Sequence, residues 1–129
     1  MTEQNEFTIV GRGSEAPIET AIREHLAADG WSVEDRPKAT GVDILAHRDG
    51  RRLLIEVKGN TGSNSGLDVQ TLYGQILERM VDPSDEFALG YPTAVRSKID
   101  RVPARVQALL GLTFFEVDEN GAVTRRDPS

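Results

Sequence analysis

The hydrophobic positions of the chain repeat with two different periods, and these predict helices that alternate with strands. Apolar residues recur three or four positions apart over residues 18–26 and again over residues 72–80, which is the spacing of one face of a helix. The first helix is predicted to end at Gly30, and the second to cover roughly residues 67–81. A third, shorter helix is predicted over residues 103–110.

Short apolar runs between these helices predict strands. They are WSVE at 31–34, the two halves of 41–58, EFALGY at 86–91 and LTFFEV at 112–117, with a closing strand after the Asn120-Gly121 turn left open. Because helices and strands alternate, the predicted class is α/β, with a central mixed sheet of four to five strands flanked by helices. At 129 residues the chain is expected to be a single domain, 1–129, with flexible tails at 1–6 and 126–129.

The segment GVDILAHRDGRRLLIEVKG, residues 41–59, predicts a hairpin whose register follows from its turn. Asp49-Gly50 is a strong two-residue turn signal, so paired positions sum to 99 and Asp43 faces Glu56. Side chains alternate along strands, which defines two faces. One face is wholly apolar and must be core, comprising Val42, Ile44, Ala46, Leu53, Ile55 and Val57. The other comprises Asp43, Leu45, His47, Arg52, Leu54, Glu56 and Lys58.

The two acids on the second face require an explanation, because carboxylates directly opposite each other destabilise a strand pair. Either one takes a proton, or a cation lies between them, or solvent screens them, in which case Lys58 bridges them on an exposed face. Leu45 and Leu54 half-bury this face, which favours a divalent-metal site, since hard oxygen ligands hold Mg²⁺. A Mg²⁺ held by Asp43 and Glu56, with Lys58 positioning the attacking water, suits hydrolysis of a phosphodiester.

The charge balance limits the classes of partner. With 21 acids against 15 bases the formal charge is −6, which argues against a protein that coats duplex nucleic acid over its whole surface. A local basic strip is compatible with this, and residues 95–105 carry Arg96, Lys98 and Arg101 as predicted phosphate contacts; a solvated charged face is the alternative. The sequence has no cysteine and no apolar run of bilayer length, so we expect a cytoplasmic protein that does not enter membranes.

The spacing of the acids resembles that of the PD-(D/E)xK nuclease superfamily, which has the restriction-endonuclease-like fold. The superfamily has an Asp that opens one strand and a Glu-x-Lys in the next, here GVD at 41–43 and EVK at 56–58. IETAIREHLAADGWSV, upstream, is similar to the opening of archaeal-type Holliday-junction resolvases and Mrr-like nucleases, and the resemblance covers residues 14–80. Asp43 follows Val where the superfamily pattern has Pro, a frequent variation.

The resemblance implies a set of site residues. The metal ligands would be Asp43, Glu56, the backbone carbonyl of Val57 and Glu19. Lys58 would be the catalytic lysine, and Mn²⁺ should substitute for Mg²⁺. Glu15 competes with Glu19 for the role of the helix acid, and for both the alternative is a solvated helix face. A Gln of the second helix belongs to the superfamily's site as well; Gln75 is favoured over Gln70, although both lie at similar angles from the apolar stripe.

For the substrate the resemblance implies DNA. The loop before Asp43 would place Lys38 and Thr40 at the substrate phosphate, a polar turn being the alternative. A homodimer, or a partner subunit that supplies specificity, would suit a nuclease of this size. The competing hypothesis is a non-catalytic module that keeps this fold for binding nucleic acid or protein. The intact acid-acid-lysine set favours the metal-dependent endonuclease.

Overall fold

The computed structural model of the protein describes residues 15–35, 41–59 and 65–128. Its elements in chain order are α1 (Ala16–Ala28), β1 (Ser32–Val33), β2 (Ile44–Arg48), β3 (Arg51–Val57), α2 (Ser65–Glu78), β4 (Glu86–Pro92), a 3-10 turn (Thr93–Val95), α3 (Arg96–Ile99), α4 (Ala104–Leu109), β5 (Leu112–Val117) and β6 (Val123–Arg126). The predicted order of helices and strands is confirmed, and the structure adds the short helix α3.

The strands form one six-stranded mixed sheet whose order follows the chain, from β1 to β6. The central strands β3, β4 and β5 are parallel, and the three remaining pairings are antiparallel. The predicted α/β class with a mixed sheet and flanking helices is confirmed, but the strand count of four to five was too low. The additional strand is β6, with four residues, the closing strand that the sequence had left open. Such short edge strands carry little periodicity in the sequence.

The hairpin of β2 and β3 has the predicted register. Its paired residues run from Arg48 with Arg51 to Ile44 with Ile55, so every pair sums to 99. The turn residues Asp49 and Gly50 both have positive φ, at 53° and 78°. Positive φ at both central positions is the property of the type I′ turn, whose twist matches that of the strands it joins.

Each face of the sheet carries its own hydrophobic core. Helix α1 covers one face, where it packs on the hairpin residues Ile44, Ala46, Leu53, Ile55 and Val57. Helices α2 and α3 cover the other face, which includes Leu45 and Leu54 from the hairpin. The second hairpin face is therefore buried along its middle, further than its half-apolar sequence indicated.

One residue of the predicted core face lies on the wrong side. Val42 was placed with the α1 core, whereas it packs in the core beneath α2. The ladder ends at the pair of Ile44 and Ile55, and the chain bends at Asp43 before it enters β2. Strict alternation holds only within a strand, so it no longer assigns faces to residues 41–43.

Helix α1 lies very close to β4, at the point where that strand passes β3. Gly90 pairs with Val57 across this parallel ladder. A methyl group added to Gly90 would overlap the Cδ1 atom of Ile22 and would lie 3.3 Å from Cγ2 of Val57. The absence of a side chain at residue 90 thus sets how near α1, with its acidic residues, comes to the end of β3.

Two of the predicted boundaries differ from those in the structure. Helix α2 covers Ser65–Glu78, and its last turn tightens, since the N–H of Arg79 bonds the carbonyl of Ile76. Arg126, where a flexible tail was expected to begin, belongs to β6 and donates to the hydroxyl of Tyr91 at 2.8 Å. The tail expected at 1–6 lies outside the described residues.

Candidate metal centre

Asp43 lies at the open end of the hairpin, one residue beyond the last ladder pair. Its Oδ2 atom accepts a hydrogen bond of 2.8 Å from the N–H of Val57. Continuation of the ladder would have paired residue 57 with residue 42, so the carboxylate takes the place of a backbone acceptor. Asp43 and Glu56 are not a regular ladder pair, but their carboxyl groups do meet and share a hydrogen bond.

Glu56 is a buried acid, with 3% of its surface exposed. Burial, and after it the negative charge of Asp43, raise the pKa of its carboxyl to about 7. The guanidinium of Arg79 opposes both effects, because its Nε donates to Oε2 of Glu56 at 3.1 Å. The carboxyl-to-carboxyl hydrogen bond requires a proton on one of the two acids, and Glu56 is the one whose environment favours the protonated form.

The first turn of α1 brings two more acids to Asp43. One carboxylate oxygen from each of Glu15, Glu19 and Asp43 lies within 4.8 Å of the other two. Burial is the main cause of the raised pKa of both Glu15 and Glu19, and the charge of Asp43 is the second cause for each. Of the two helix acids that competed as candidates, the structure therefore brings both to the site.

The backbone of Val57 adds a further oxygen. In a strand, the N–H and C=O of one residue point toward the same neighbouring strand, and those of the next residue point the other way. Since the N–H of Val57 reaches Asp43, its carbonyl oxygen points to the same side of β3. The N–H of Lys58 points the other way and bonds the carbonyl of Gly90 at 2.9 Å.

Lys58 follows β3 and places its ammonium group between the starts of α1 and α2. Its Nζ atom is 3.7 Å from Oε2 of Glu15 and 4.0 Å from Oδ1 of Asp68. The side chain is 21% exposed. Lys58 therefore borders the acid cluster on its solvent side, next to the helix acid that the resemblance to nucleases did not select.

The donor set fits a divalent cation. It consists of carboxylate oxygens and one backbone carbonyl, which are the hard ligands that Mg²⁺ prefers. Ligand oxygens about 2 Å from such an ion lie about 3 to 4 Å apart, so the three acids within 4.8 Å need only small side-chain movements to share one ion. Glu56 does not belong to this group of three and meets Asp43 from the α2 side, where Arg79 lies.

The helix α2 distinguishes the two glutamines that the sequence left open. Asp68 contacts Lys58, and Arg79 contacts Glu56. Gln75 comes seven residues after Asp68 and four before Arg79, and so shares their side of the helix, whereas Gln70 lies about half a turn away. Gln75 is exposed there, and its role at the site stays a prediction.

The predicted nucleic-acid contacts are only partly described. Lys38 and Thr40 lie outside the described residues. Arg96 is exposed but faces two acids, Asp100 and Glu116, each 3.7 Å from its Nε. Glu116 comes from β5, so the sequence around residue 96 does not show this second partner.

One further residue of the basic strip, Arg101, lies near the start of α2. Arg101 is exposed, and a methyl group on Gly66 would come within 2.8 Å of its guanidinium. Lys98 is half-buried. Arg101 is therefore close to the first turn of α2, which also carries Asp68, the neighbour of Lys58.

Sequence reasoning missed the arginines that surround the acids. Arg79 bonds Glu56, and Arg23 donates to the backbone carbonyl of Asp43 at 3.0 Å. Arg23 belongs to the polar side of α1, and Arg79 directly follows α2; a charged residue is the ordinary choice at both positions. No periodicity distinguishes them from solvent-exposed arginines, because their partners are brought near only by the packing of α1 and α2 on the sheet.

Comparison with known proteins gives a family match and two related structures. The family model NOV_C, described as "Protein NO VEIN, C-terminal", matches residues 15–89. The crystal structure of an XisH family protein from Nostoc punctiforme PCC 73102 has 21% sequence identity and a TM-score of 0.61. That of an fdxN element excision controlling factor protein from Anabaena variabilis has 22% identity and a TM-score of 0.60. Each alignment covers 84% of this chain and 96% of the other, and shows a shared fold.

No curated protein matches the chain. Within the described residues, no helix has both the length and the apolar character needed to cross a bilayer.

Proposed function

Because the chain belongs to the NO VEIN C-terminal family, whose model matches more than half of it, and carries an acid cluster at the end of its hairpin, we propose that it is a metal-dependent nuclease. The proposed reaction is hydrolysis of phosphodiester bonds in DNA, with Mg²⁺ as the cofactor and Mn²⁺ as its substitute. The name of the Anabaena variabilis neighbour, an excision controlling factor of the fdxN element, supports nucleic acid as the substrate class.

The observation that carries the proposal is the convergence of several acids from different parts of the chain on Asp43. Glu15 and Glu19 reach it from α1, and Glu56 reaches it from β3. Acids that repel one another and raise each other's pKa destabilise a fold unless a cation offsets them. We propose Asp43, Glu56, Glu19 and the carbonyl of Val57 as the ligands, with Glu15 as a further acid of the same site.

The bound cation would polarise the phosphodiester and make a bound water more acidic. The residues of the chain have separate roles. Asp43 and Glu56 would accept the ion only as carboxylates, so the proton they share must leave on binding. The ammonium of Lys58, which lies beside Glu15 at the edge of the cluster, would donate hydrogen bonds to the attacking water or to a phosphate oxygen. Positive charge there stabilises the negative charge that develops on the phosphorane.

A nicking assay on supercoiled DNA tests the proposal. Wild type should nick the DNA with Mg²⁺ or Mn²⁺ and not with a chelator, whereas Asp43→Asn and Lys58→Met should lose at least about 100-fold in rate. Glu24→Gln, on the exposed side of α1, is the matched control and should cleave as wild type does. Equal nicking by wild type and both site variants would mean a contaminating nuclease and would remove the catalytic claim.

A non-catalytic binding module is the second candidate, and one observation favours it. Arg79 already supplies a cation to Glu56, at 3.1 Å, so the acids have a partial internal counter-charge. Calorimetric titration with Mn²⁺ distinguishes the two functions. A metal-dependent nuclease should bind Mn²⁺ and lose binding in Glu56→Ala, whereas a module that binds without metal should show no Mn²⁺ heat and should bind DNA equally well with a chelator present.

A further inference from the structure

We propose that Arg23 and Arg79 form a two-sided clamp on residues 41–43, which holds the Asp43 carboxylate where it can bind the metal. Arg23 belongs to α1 and Arg79 directly follows α2, and these helices pack on opposite faces of the sheet. The short segment before β2 is thus held from both faces. The clamp itself is argued from contacts, while its effect on metal binding rests on the proposed function.

Arg79 joins this segment to β3. Its Nη2 donates to the carbonyl of Gly41 at 3.1 Å, and its Nε donates to Oε2 of Glu56 at 3.1 Å. The guanidinium also covers Gly41, since a Cβ atom there would lie 3.4 Å from Nη2. One rigid planar group therefore spans the two chain segments that carry Asp43 and Glu56, which the single nitrogen of a lysine could not do.

Arg23 joins the same segment to α1 and to the end of β1. Its Nη2 donates to the carbonyl of Asp43 at 3.0 Å, and its Nη1 donates to the carbonyl of Glu34 at 2.6 Å. Nη2 is also 3.8 Å from Oε1 of Glu19, one turn earlier on the helix. The guanidinium thus relates the backbone of Asp43 to the helix that carries the other acids.

The segment needs such support because it lies outside the ladder. The hairpin's pairing stops at Ile44, and Gly41 has a φ of 69°, which ends any extended conformation there. Backbone that lacks ladder hydrogen bonds opens locally more easily than the strand beside it. The bond from the N–H of Val57 to the Asp43 carboxylate ties the segment to β3, and the two arginines tie it to the elements on either face.

The opposite interpretation is that Arg79 competes with the metal for Glu56. A competing cation predicts tighter metal binding once the charge is removed, whereas a clamp predicts weaker binding once its geometry is removed. Arg→Lys separates the two, because lysine keeps the positive charge and loses the second hydrogen bond. Arg52 offers a matched control, since its guanidinium also makes two hydrogen bonds, to Asp85 at 2.9 and 2.6 Å. This partner belongs neither to residues 41–43 nor to the acids of the candidate metal centre.

The experiment compares Arg23→Lys and Arg79→Lys with Arg52→Lys and wild type, using two readouts. The first is hydrogen exchange of the Val57 amide with a chelator present, which reports on its bond to Asp43 without any metal. We expect exchange faster by on the order of tenfold in both clamp variants. The second is the Mn²⁺ dissociation constant by calorimetry, which should rise about 10- to 100-fold, the usual effect of removing a group that orients a ligand. Arg52→Lys should match wild type in both readouts.

Each departure from this pattern has a definite meaning. Unchanged Val57 exchange in both clamp variants overturns the clamp, and so does faster exchange with an unchanged Mn²⁺ constant. Arg79→Met, which removes the charge as well as the geometry, should also weaken Mn²⁺ binding; tighter binding in that variant would establish the competitor instead. If wild type binds no Mn²⁺, the proposed function fails, while the exchange readout still decides whether the arginines hold the segment.

Discussion

Glu56 should make the metal-free protein less stable as the pH rises. Burial and the charge of Asp43 raise the pKa of its carboxyl to about 7 in the folded protein, against an ordinary value of 4.5. Between these two values the unfolded chain has released a proton that the folded chain still holds. The contribution of Glu56 to stability is therefore fully present below the unfolded pKa, and it is lost as the pH rises through the folded pKa.

The magnitude follows from the two pKa values. The gap between about 7 and 4.5 corresponds to about 3 kcal/mol in the free energy of unfolding. Glu56→Gln has nearly the same shape and keeps an oxygen that can accept from Arg79, but it cannot ionise. The stability of the variant minus that of wild type should therefore increase by about 2 to 3 kcal/mol from about pH 5 to about pH 8.

Urea unfolding with a chelator present, at several pH values across this range, measures that difference directly. Glu24→Gln is the control, because Glu24 is exposed on α1, the helix that also carries Glu19. The difference in the free energy of unfolding between this variant and wild type should stay constant with pH. A Glu56→Gln difference as flat as that of the control would refute the reasoning, since it would mean that Glu56 ionises equally easily in the folded and unfolded chains.

Three further predictions concern single contacts. Glu19→Gln should weaken Mn²⁺ binding about tenfold in calorimetry, and an affinity equal to that of Glu24→Gln would exclude Glu19 from the site. Gly90→Ala should lower the free energy of urea unfolding by about 1 to 3 kcal/mol, because its methyl group would overlap Cδ1 of Ile22; wild-type stability would mean that the end of the Ile22 side chain, or α1 itself, moves aside without cost. Tyr73→Phe should cost about 0.5 to 1.5 kcal/mol in the same assay, since the buried carbonyl of Ile99 loses a 2.7 Å hydrogen bond and keeps the longer one from Gln107, at 3.3 Å; no change would show that the Gln107 amide replaces the hydroxyl fully.

The hairpin was predictable in detail because its determinants are local. Asp49-Gly50 selects the turn, and the turn fixes the register of the strands beside it. The meeting of Asp43 with Glu56 and the nearness of Lys58 to the acids both depend on that short stretch. The α/β class was predictable for a related reason, since each helix and long strand has its own period.

The remaining features depend on contacts between segments that are distant in sequence. Arg79 meets Glu56 across 23 positions and Gly41 across 38, and no local pattern encodes either contact. Val42 was assigned to the wrong core because alternation was extended past the point where the ladder stops. The closing strand β6 was left open because pairing with the longer β5, rather than its own sequence, makes it a strand.

The order of the sheet has a consequence for how the protein is made. Each strand after β1 pairs with the strand that precedes it in the chain. The pairing partner of each new strand has therefore already been synthesised. All the acids of the cluster are synthesised before β4, but β3 keeps one open edge until that strand arrives and the carbonyl of Gly90 accepts from Lys58. Completion of the cluster therefore depends on β4, because the N–H of Lys58 has its acceptor only after residue 90 has been synthesised and β4 has paired with β3.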